Sequence, residues 1–514
     1  MDLFIKISML VVFFGIMIGV GIYCRKKSTN VDGFVLGGRS VGPWLSAFAY
    51  GTSYFSAVVF VGYAGQFGWK FGIAAAWAGV GNAILGSLLA WKVLGKRTRI
   101  MTQHLDSATM PQFFESRYNS KKLKLAASAV IFIFLIPYTA SLYNGLSRLF
   151  EMAFGIDYST CVIVMAALTA VYVIAGGYMA TAINDFIQGI IMIFGIIAVI
   201  MAVLNKQGGF TEAVEALGQV SDETNAAGSF TSLFGPDPWG LLGVMLLTSL
   251  GTWGLPQMVQ KFYAIKSEKA IGKGAVISTV FALIVAGGCY FLGGFGRLFT
   301  TQEAVTKNGF DSIIPTMLDG LGPVLIGIVV ILVLSASMST LSSLVLASSS
   351  TLTLDFIKGS IVKKMSEKKQ LLTMRILIAV FIAISVVIAI LQYKSNVAFI
   401  AQLMGVSWGA LAGAFLAPFL FGLYWKRTTA ASVWASMIFS SVVMVANIFW
   451  GKYFPAIIQS PINAGAFCML AGLIIVPVVS LLSKPPKKEF VDKVFACYDK
   501  KVAVSAKGAA EEDK

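Results

Sequence analysis

The sequence is dominated by long apolar runs that are separated by short polar loops. A helix that spans a bilayer needs roughly 20 apolar residues, and the runs are long enough to supply many such helices. Only 12% of the 514 residues are charged and 57% are apolar, whereas a soluble domain carries roughly 25% charged residues. The chain therefore cannot cover a water-facing surface, and the sequence predicts an all-α integral membrane protein. A soluble enzyme, a transmembrane β-barrel and a disordered chain are excluded.

Hydropathy divides the chain into thirteen helical segments. The first segment lacks the basic leader and the cleavage site of a signal peptide, so we expect it to be retained as a membrane helix. The segments cover about residues 3–23, 41–68, 71–95, 124–153, 156–178, 182–204, 238–262, 272–298, 322–357, 370–392, 396–423, 429–451 and 461–483.

The basic residues predict how these segments are oriented. Short cytoplasmic loops retain lysine and arginine, and most of the 40 basic residues fall on one side of the membrane if the N-terminus lies outside. We therefore expect an external N-terminus, a cytoplasmic C-terminus, and Lys261 in the third cytoplasmic loop of a cell-membrane protein. The net charge of +16 then reflects the lysines and arginines that orient the chain in the membrane. No basic arm or stacking platform indicates a nucleic-acid partner.

Two segments carry residues that interrupt a helix in the middle of the membrane. Glycine and hydroxyl residues stand in the run 49–57 of the second segment, and two glycines, a proline and threonines stand in the run 248–257 of the seventh. A broken membrane helix must place its freed backbone groups against protein, water or an ion. The two segments are five helices apart, as in an inverted repeat whose first members are discontinuous. Close helix packing at small residues is the alternative explanation.

Polar residues inside two further segments indicate cation binding. Ser335, Ser339, Ser342 and Ser343 recur at spacings of three and four residues, so they can line one helix face with neutral oxygens that suit Na⁺. Small-residue packing would also explain these serines. Asp185 lies at the start of the sixth segment. We expect it to have a function, because placing an acidic side chain inside a membrane costs free energy. A partner for the helix dipole is the alternative role.

The motifs of several other chemistries are missing. The sequence has neither a G-x-x-x-x-G-K-[ST] phosphate loop nor an H-E-x-x-H metal motif, and it has a single histidine. The five cysteines lie far apart, without a C-x-x-C pair. ATP-driven transport, intramembrane metal chemistry, a zinc site and a disulfide framework are therefore disfavoured, and we expect a protein that is not an enzyme.

Three motifs give the chain a resemblance to a known family. Residues 37–40 read Gly-Gly-Arg-Ser, residues 175–178 read Ala-Gly-Gly-Tyr, and residues 336–342 read Ala-Ser-Met-Ser-Thr-Leu-Ser. In this order, over about residues 3–480, they resemble the sodium/solute symporter family. The resemblance implies about thirteen transmembrane helices, with a five-plus-five inverted-repeat core whose first and sixth helices are discontinuous. It divides the chain into a leading helix with the first cytoplasmic loop (1–40), the transport core (41–423), two additional helices (424–483) and a cytoplasmic tail (484–514).

The resemblance also implies sodium sites. The first would lie between the broken first core helix and the eighth core helix. Its ligands would be the backbone carbonyls of Thr52, Phe55 and Ala336. The side-chain hydroxyls of Ser339 and Thr340 would complete it. A second site, present in some members, would use one carboxylate and three hydroxyls, those of Asp185, Ser339, Ser342 and Ser343. Two sodium ions would then move with each solute.

The resemblance is less specific about the solute. We expect it to contact residues of the broken helices and their neighbours, namely Ser56, Tyr138, Thr248, Thr252, Trp253 and Pro256. Ser56, Tyr138 and Pro256 match substrate-contacting positions of the members that carry proline, whereas Thr248 and Thr252 replace aromatic residues of those members.

The expected function is sodium-coupled import by alternating access. The expected solute is an amino acid such as proline or another small carboxylate-bearing compound. A pantothenate, monocarboxylate, sugar or sialic acid symporter of the same family, a channel or uniporter, and a solute sensor with a transporter fold are the alternatives. The expected partners are the solute, sodium ions and the lipid bilayer, without an obligate protein partner.

Overall fold

The computed structural model describes residues 2–25, 28–362, 364–395 and 400–499. These residues form helices joined by short loops, and no β-strand occurs among them. The α-helices, numbered α1 to α22 in chain order, are Asp2–Cys24, Val31–Leu36, Pro43–Tyr54, Ala64–Phe71, Ala76–Gly81, Lys96–His104, Met110–Tyr118, Lys121–Phe154, Tyr158–Asn205, Phe210–Gly218, Pro238–Gly254, Pro256–Ala264, Glu268–Gly293, Gln302–Asn308, Ile313–Leu318, Pro323–Thr351, Lys358–Ser360, Glu367–Ser395, Ile400–Tyr424, Ala430–Trp450, Pro461–Leu482 and Lys488–Phe495.

Shorter helical turns continue or connect these helices. The π-helical turns are Val58–Tyr63, Asn82–Leu89, Trp91–Gly95 and Leu352–Ile357. The 3₁₀ turns are Gly37–Arg39, Gly72–Ala75, Ser229–Thr231, Gly296–Leu298, Phe310–Ser312, Gly451–Tyr453, Ala456–Ile458 and Ala496–Tyr498.

The predicted all-α membrane architecture is confirmed. Among the described residues, ten helices are long and apolar enough to cross a bilayer, or eleven if α11 and α12, which meet at 47°, count as one span. Large apolar side chains on the outer faces of the bundle are exposed, among them Phe194 and Leu482. The bundle therefore carries apolar side chains both in its interior and on the surface that faces lipid.

The long helical run Val58–His104 contains the predicted segment 71–95 and the last part of the predicted segment 41–68. Its 47 residues would extend about 70 Å as one straight helix, more than twice the roughly 30 Å of a hydrocarbon core. Gly72, with a φ of +63°, breaks the helical course between the two limbs. The first limb meets the end of α13 at Gly68–Gly293. The second limb runs antiparallel to α13, with contacts at Gly79–Gly287 and Ser87–Ser278.

The helix α9 also contains two of the predicted segments. It has 48 residues and changes course at Gly177, whose φ of 56° and ψ of −150° lie outside the helical region. A side chain at Gly177 would clash with Phe34 of α2. The predicted segments 156–178 and 182–204 are the two limbs of α9. The other predicted segments also fall on helices, except that the first residues of the segment 396–423 lie outside the described residues.

The two interruptions expected from the sequence are present and have similar geometry. The helix α3 ends at Tyr54, and Phe55 is extended, with φ −88° and ψ 120°. The helix α11 ends at Gly254, and Leu255 is extended, with φ −78° and ψ 125°. An extended residue therefore interrupts each helix, as expected for the discontinuous first and sixth helices of an inverted-repeat core.

The helix α16 lies in the centre of the bundle. It packs against α3, α8, α9 and α12, and every residue from Leu332 to Thr351 is buried. A helix that is buried on all sides must satisfy its hydroxyl groups inside the protein. The serine-rich half of α16 therefore lies in the interior, beside the break that follows α3.

Replacing Gly177 is expected to destabilise the protein. Alanine would have to adopt a backbone conformation that is nearly confined to glycine, and its Cβ would meet Phe34. Strain of this kind costs about 1–3 kcal/mol. Thermal unfolding of the purified Gly177→Ala variant in detergent should show a lower midpoint.

The matched control is Gly272→Ala in α13. Nothing lies within 4 Å of the position that its Cβ would take, and alanine is the better helix former, so its midpoint should equal or exceed that of the unmodified chain. Equal midpoints for both variants would show that the bend in α9 does not depend on glycine.

Candidate functional site

The break after α3 leaves backbone carbonyls without their helical partners. In an unbroken helix the Thr52 carbonyl would accept a hydrogen bond from the residue four positions later, but the extended conformation of Phe55 ends the helix first. The last carbonyls of a helix need other donors, and lipid supplies none. The donors come from α16.

Five oxygen atoms converge where the break meets α16. The Ser339 hydroxyl donates to the carbonyls of Thr52, at 3.2 Å, and Ala336, at 3.1 Å. The Thr340 hydroxyl lies 3.2 Å from the Phe55 carbonyl and 3.1–3.2 Å from the other two carbonyls. Each of these residues is at most 1% exposed. The structure thus brings together the five residues that the sequence analysis assigned to the first sodium site, and we call them the five-oxygen cluster.

The composition of the five-oxygen cluster suits a hard monovalent cation. Three carbonyls and two hydroxyls are all neutral oxygen donors, the type of ligand that hard cations prefer. A hydroxyl group that donates its proton still has lone pairs to offer. Rotation of the two O–H bonds away from the carbonyls would free the three carbonyls and the two hydroxyl oxygens to bind an ion.

The carboxylate expected at a second sodium site is paired with a lysine. Lys261 Nζ lies 4.0 Å from Asp185 Oδ2 and donates to Ser343 Oγ at 3.0 Å. Ser343 Oγ lies in turn 2.9 Å from Ser53 Oγ. Lys261 is 1% exposed, so its expected place in a cytoplasmic loop is wrong. The helix α12, which begins at the buried Pro256, continues inside the protein and buries the side chain.

The other two residues expected at the second site make different contacts. The Ser339 hydroxyl belongs to the five-oxygen cluster, and Ser342 Oγ donates to the Ser339 carbonyl at 2.9 Å, within α16 itself. Asp185 and Ser343 are therefore connected through the lysine ammonium group.

Three of the residues expected to contact the solute donate hydrogen bonds to backbone carbonyls. Trp253 Nε1 donates to the Leu85 carbonyl at 2.9 Å, and Thr252 Oγ1 donates to the Gly86 carbonyl at 2.8 Å. Thr248 Oγ1 donates within its own helix at 2.9 Å. The first two bonds hold α11 against the π-helical turn that follows α5.

Buried polar groups without partners gather on the other side of the break. Ser56 and Tyr138 are fully buried, and neither hydroxyl makes a hydrogen bond of good geometry, although the Tyr138 hydroxyl lies close to Ser56 and to the Trp408 indole. Tyr138 packs edge to face on Trp408, with 5.9 Å between the ring centroids, and the indole Nε1 is also unpartnered. The hydroxyls of Tyr63 and Tyr290 lie close enough to one another and to Tyr138 to interact electrostatically, and that of Tyr290 also lies close to Asn82 and Thr248. These five residues form what we call the hydroxyl cluster.

The hydroxyl cluster has the character of a ligand site. Buried polar groups in proteins nearly always have a hydrogen-bond partner, and a group left without one costs free energy. Several such groups beside a helix break, with aromatic rings between them, provide donors and acceptors for a small polar molecule together with an apolar surface.

Sequence reasoning missed Tyr63, Tyr290 and Trp408, as well as the burial of Lys261. The three aromatic residues come from different helices and share no spacing or motif, so they meet only in the folded chain. For Lys261 a signal was available, because the residue falls inside the apolar segment 238–262.

Comparisons with known proteins show the family and the fold of the chain. The sequence profile of the sodium:solute symporter family matches residues 34–440. A sodium/proline symporter of Staphylococcus aureus is 30% identical over 491 residues, which cover 93% of this chain and 92% of that protein. A solved sodium-coupled sialic acid symporter, in a substrate-bound outward-open state, has the same fold. It aligns with a TM-score of 0.74 at 18% identity and covers 94% of this chain and 98% of its own. Mhp1, a nucleobase-cation-symport-1 family transporter, aligns with a TM-score of 0.50 at 13% identity and covers 89% of this chain and 97% of its own.

Proposed function

This chain is a member of the sodium:solute symporter family, and from that premise we propose that it imports a small zwitterionic amino acid, with proline as the first choice. It is a multi-pass membrane protein, and sodium is its coupling ion. The observation that carries the proposal is the five-oxygen cluster at the break after α3. The similarity to a sodium/proline symporter over 93% of the chain supports the choice of solute.

Sodium at the five-oxygen cluster would connect the broken helix to α16. The ion would bind the carbonyls freed by the break together with two hydroxyls of α16, and it would fix the relative position of the two elements. A ligand shifts a conformational equilibrium only by binding one state more tightly. Sodium therefore favours the state in which the broken helix lies against α16. By reciprocity, a solute that prefers this state raises the affinity for sodium.

The hydroxyl cluster favours a solute without net charge. Its polar groups are neutral hydroxyls and an indole N–H, so an anion without its own positive group would be buried without a counter-charge. A zwitterion brings both charges. Its carboxylate can lie at the positive end of the helical limb that begins at Val58. Its apolar part can pack on Tyr138 and Trp408.

The division of the chain follows from the same proposal. Residues 41–423 form the moving core, and the helices of residues 424–483 pack on its last member, since α20 and α21 contact α19. Residues 1–40 supply the leading helix, and 484–514 form a cytoplasmic tail. The N-terminus lies outside and the C-terminus inside, in accordance with the distribution of basic residues.

Uptake into proteoliposomes tests the proposed solute. Proline, pantothenate, a monocarboxylate, a sugar and sialic acid would each be offered with an inward sodium gradient, and with choline in place of sodium as the control. Proline should accumulate only with the sodium gradient. Accumulation of another compound would replace proline as the solute. Equilibration without accumulation would indicate a uniporter, and binding without uptake would indicate a sensor.

Thr340→Val should weaken sodium binding while the helix keeps its shape. The substitution removes one hydroxyl of the five-oxygen cluster and preserves the side-chain volume. Loss of a contact to a charged group costs about 1.5–3 kcal/mol, so the sodium concentration for half-maximal uptake should rise at least about tenfold. Ser348→Ala is the control, because this serine lies on the same helix and its hydroxyl donates to the Val345 carbonyl. Unaltered sodium dependence in Thr340→Val would count against the site.

Tyr138→Phe should weaken solute binding. It removes one hydroxyl of the hydroxyl cluster and keeps the ring against Trp408. A lost hydrogen bond to a polar ligand costs about 1 kcal/mol or more, so the KM for the solute should rise roughly fivefold or more. Tyr118→Phe is the control, because the Tyr118 hydroxyl donates to the Pro418 carbonyl at 2.6 Å, away from this cluster. A KM equal in both variants would remove Tyr138 from the solute site.

A further inference from the structure

The ammonium group of Lys261 lies among four structural elements. The lysine belongs to α12, and its Nζ lies 4.0 Å from Asp185 on α9 and 3.0 Å from Ser343 on α16. Ser343 is hydrogen-bonded to Ser53 of α3 at 2.9 Å. The ammonium also lies 5.1 Å from the ring centroid of Tyr178, a cation–π distance. A positive charge is therefore built into the space where the two broken helices, which include α3 and α12, meet α9 and α16.

The charges at this place balance without another ion. Asp185 is fully buried, and neither carboxylate oxygen has a hydrogen-bond partner. A carboxylate inside a membrane protein needs a compensating cation. Among the described residues, the charged side chain that acts on Asp185 is that of Lys261, and the charged side chain that acts on Lys261 is that of Asp185. A sodium ion added beside them would leave a net positive charge in a medium of low dielectric constant, where charges repel strongly.

The oxygen ligands that a second sodium ion would need are also engaged. Ser343 accepts from Lys261 and is hydrogen-bonded to Ser53. Ser342 donates to a carbonyl of its own helix, and Ser339 belongs to the five-oxygen cluster. Of the four expected ligands, this leaves the Asp185 carboxylate and the Ser343 hydroxyl, and Lys261 already contacts both.

We propose that the Lys261 ammonium is a tethered cation that takes the place of a second sodium ion at Asp185, so that the chain binds one sodium ion. That one sodium ion then moves with each solute, a step that rests on the proposed function. The lysine lies on α12, the helix that follows the break after α11. The cation that connects α12 to α9 and α16 is therefore part of the chain and does not have to be bound from solution.

Equilibrium binding of ²²Na⁺ to the purified full-length chain in detergent tests this inference without any solute. The unmodified chain should bind one sodium ion, and Thr340→Val should lose it. Lys261→Met leaves Asp185 without its counter-charge, so this variant should bind two sodium ions. The added ion should persist when Thr340→Val is introduced and disappear when Asp185→Asn is introduced. Lys261→Arg, which keeps the positive charge, should bind one.

Two results would overturn the inference. The first is two sodium ions on the unmodified chain, one of them lost in Asp185→Asn. The second is a single sodium ion on folded Lys261→Met. Where Lys261→Met does not fold, Lys261→Gln keeps a hydrogen-bond donor for Ser343 and should also gain an ion, and its failure to do so would have the same meaning.

Failure of the proposed function would look different. An unmodified chain whose bound sodium is unaffected by Thr340→Val would contradict the five-oxygen cluster as the sodium site. The gain of an ion on removal of Lys261, and its loss with Asp185→Asn, would still decide whether the lysine fills a cation site.

Discussion

The interruption of the helix at Phe55 is the constraint on which the functional geometry depends. An intact apolar helix pairs its own backbone groups and needs no polar partner in a membrane, whereas a broken helix must find partners within the protein. Here the carbonyls of Thr52 and Phe55 accept from hydroxyls of α16 at 3.2 Å. The break therefore requires a neighbouring helix that is buried on all sides and still rich in hydroxyl groups. The segment Leu332–Thr351 meets both conditions.

Buried charges obey a similar requirement, and the protein meets it in two ways. Outside the membrane spans, Arg117 is fully buried and donates to the carbonyls of Gly422 and Trp425, at the end of α19, at 2.8 and 2.9 Å. Burial lowers the pKa of this guanidinium, but the unpaired carbonyls at a helix C-terminus favour its positive charge. Inside the membrane, Lys261 is compensated by a full carboxylate, that of Asp185. A helix terminus thus compensates Arg117 near the interface, whereas a carboxylate compensates Lys261 in the interior of the bundle.

The sequence predicts the features that depend on local pattern. Apolar length predicts the spans, and glycine with hydroxyl residues in mid-membrane predicts the breaks at Phe55 and Leu255. The five-oxygen cluster required a family resemblance, because two of its carbonyls become available only through the break. The burial of Lys261 was missed because basic residues were assigned to loops by counting, and the count ignores that Pro256 starts a helix inside the protein. Tyr63 and Tyr290 were missed because tertiary packing alone brings their hydroxyls together.

The positions of the proposed sodium site and of the Lys261 ammonium suggest a way for sodium to affect the second broken helix, α11–α12. On α3, Thr52 offers its carbonyl to the five-oxygen cluster, and the next residue, Ser53, is hydrogen-bonded to Ser343. On α16, Thr340 of the cluster lies about one turn before Ser343, which accepts from Lys261. A shift of α3 against α16 that separates the cluster would therefore also break the hydrogen bond between Ser53 and Ser343, the serine that the lysine contacts. A sodium ion at the five-oxygen cluster, where the proposed function places it, would hold the first contact and stabilise the second without touching it. This is the kind of shared two-state element that a coupling free energy between ion and solute requires.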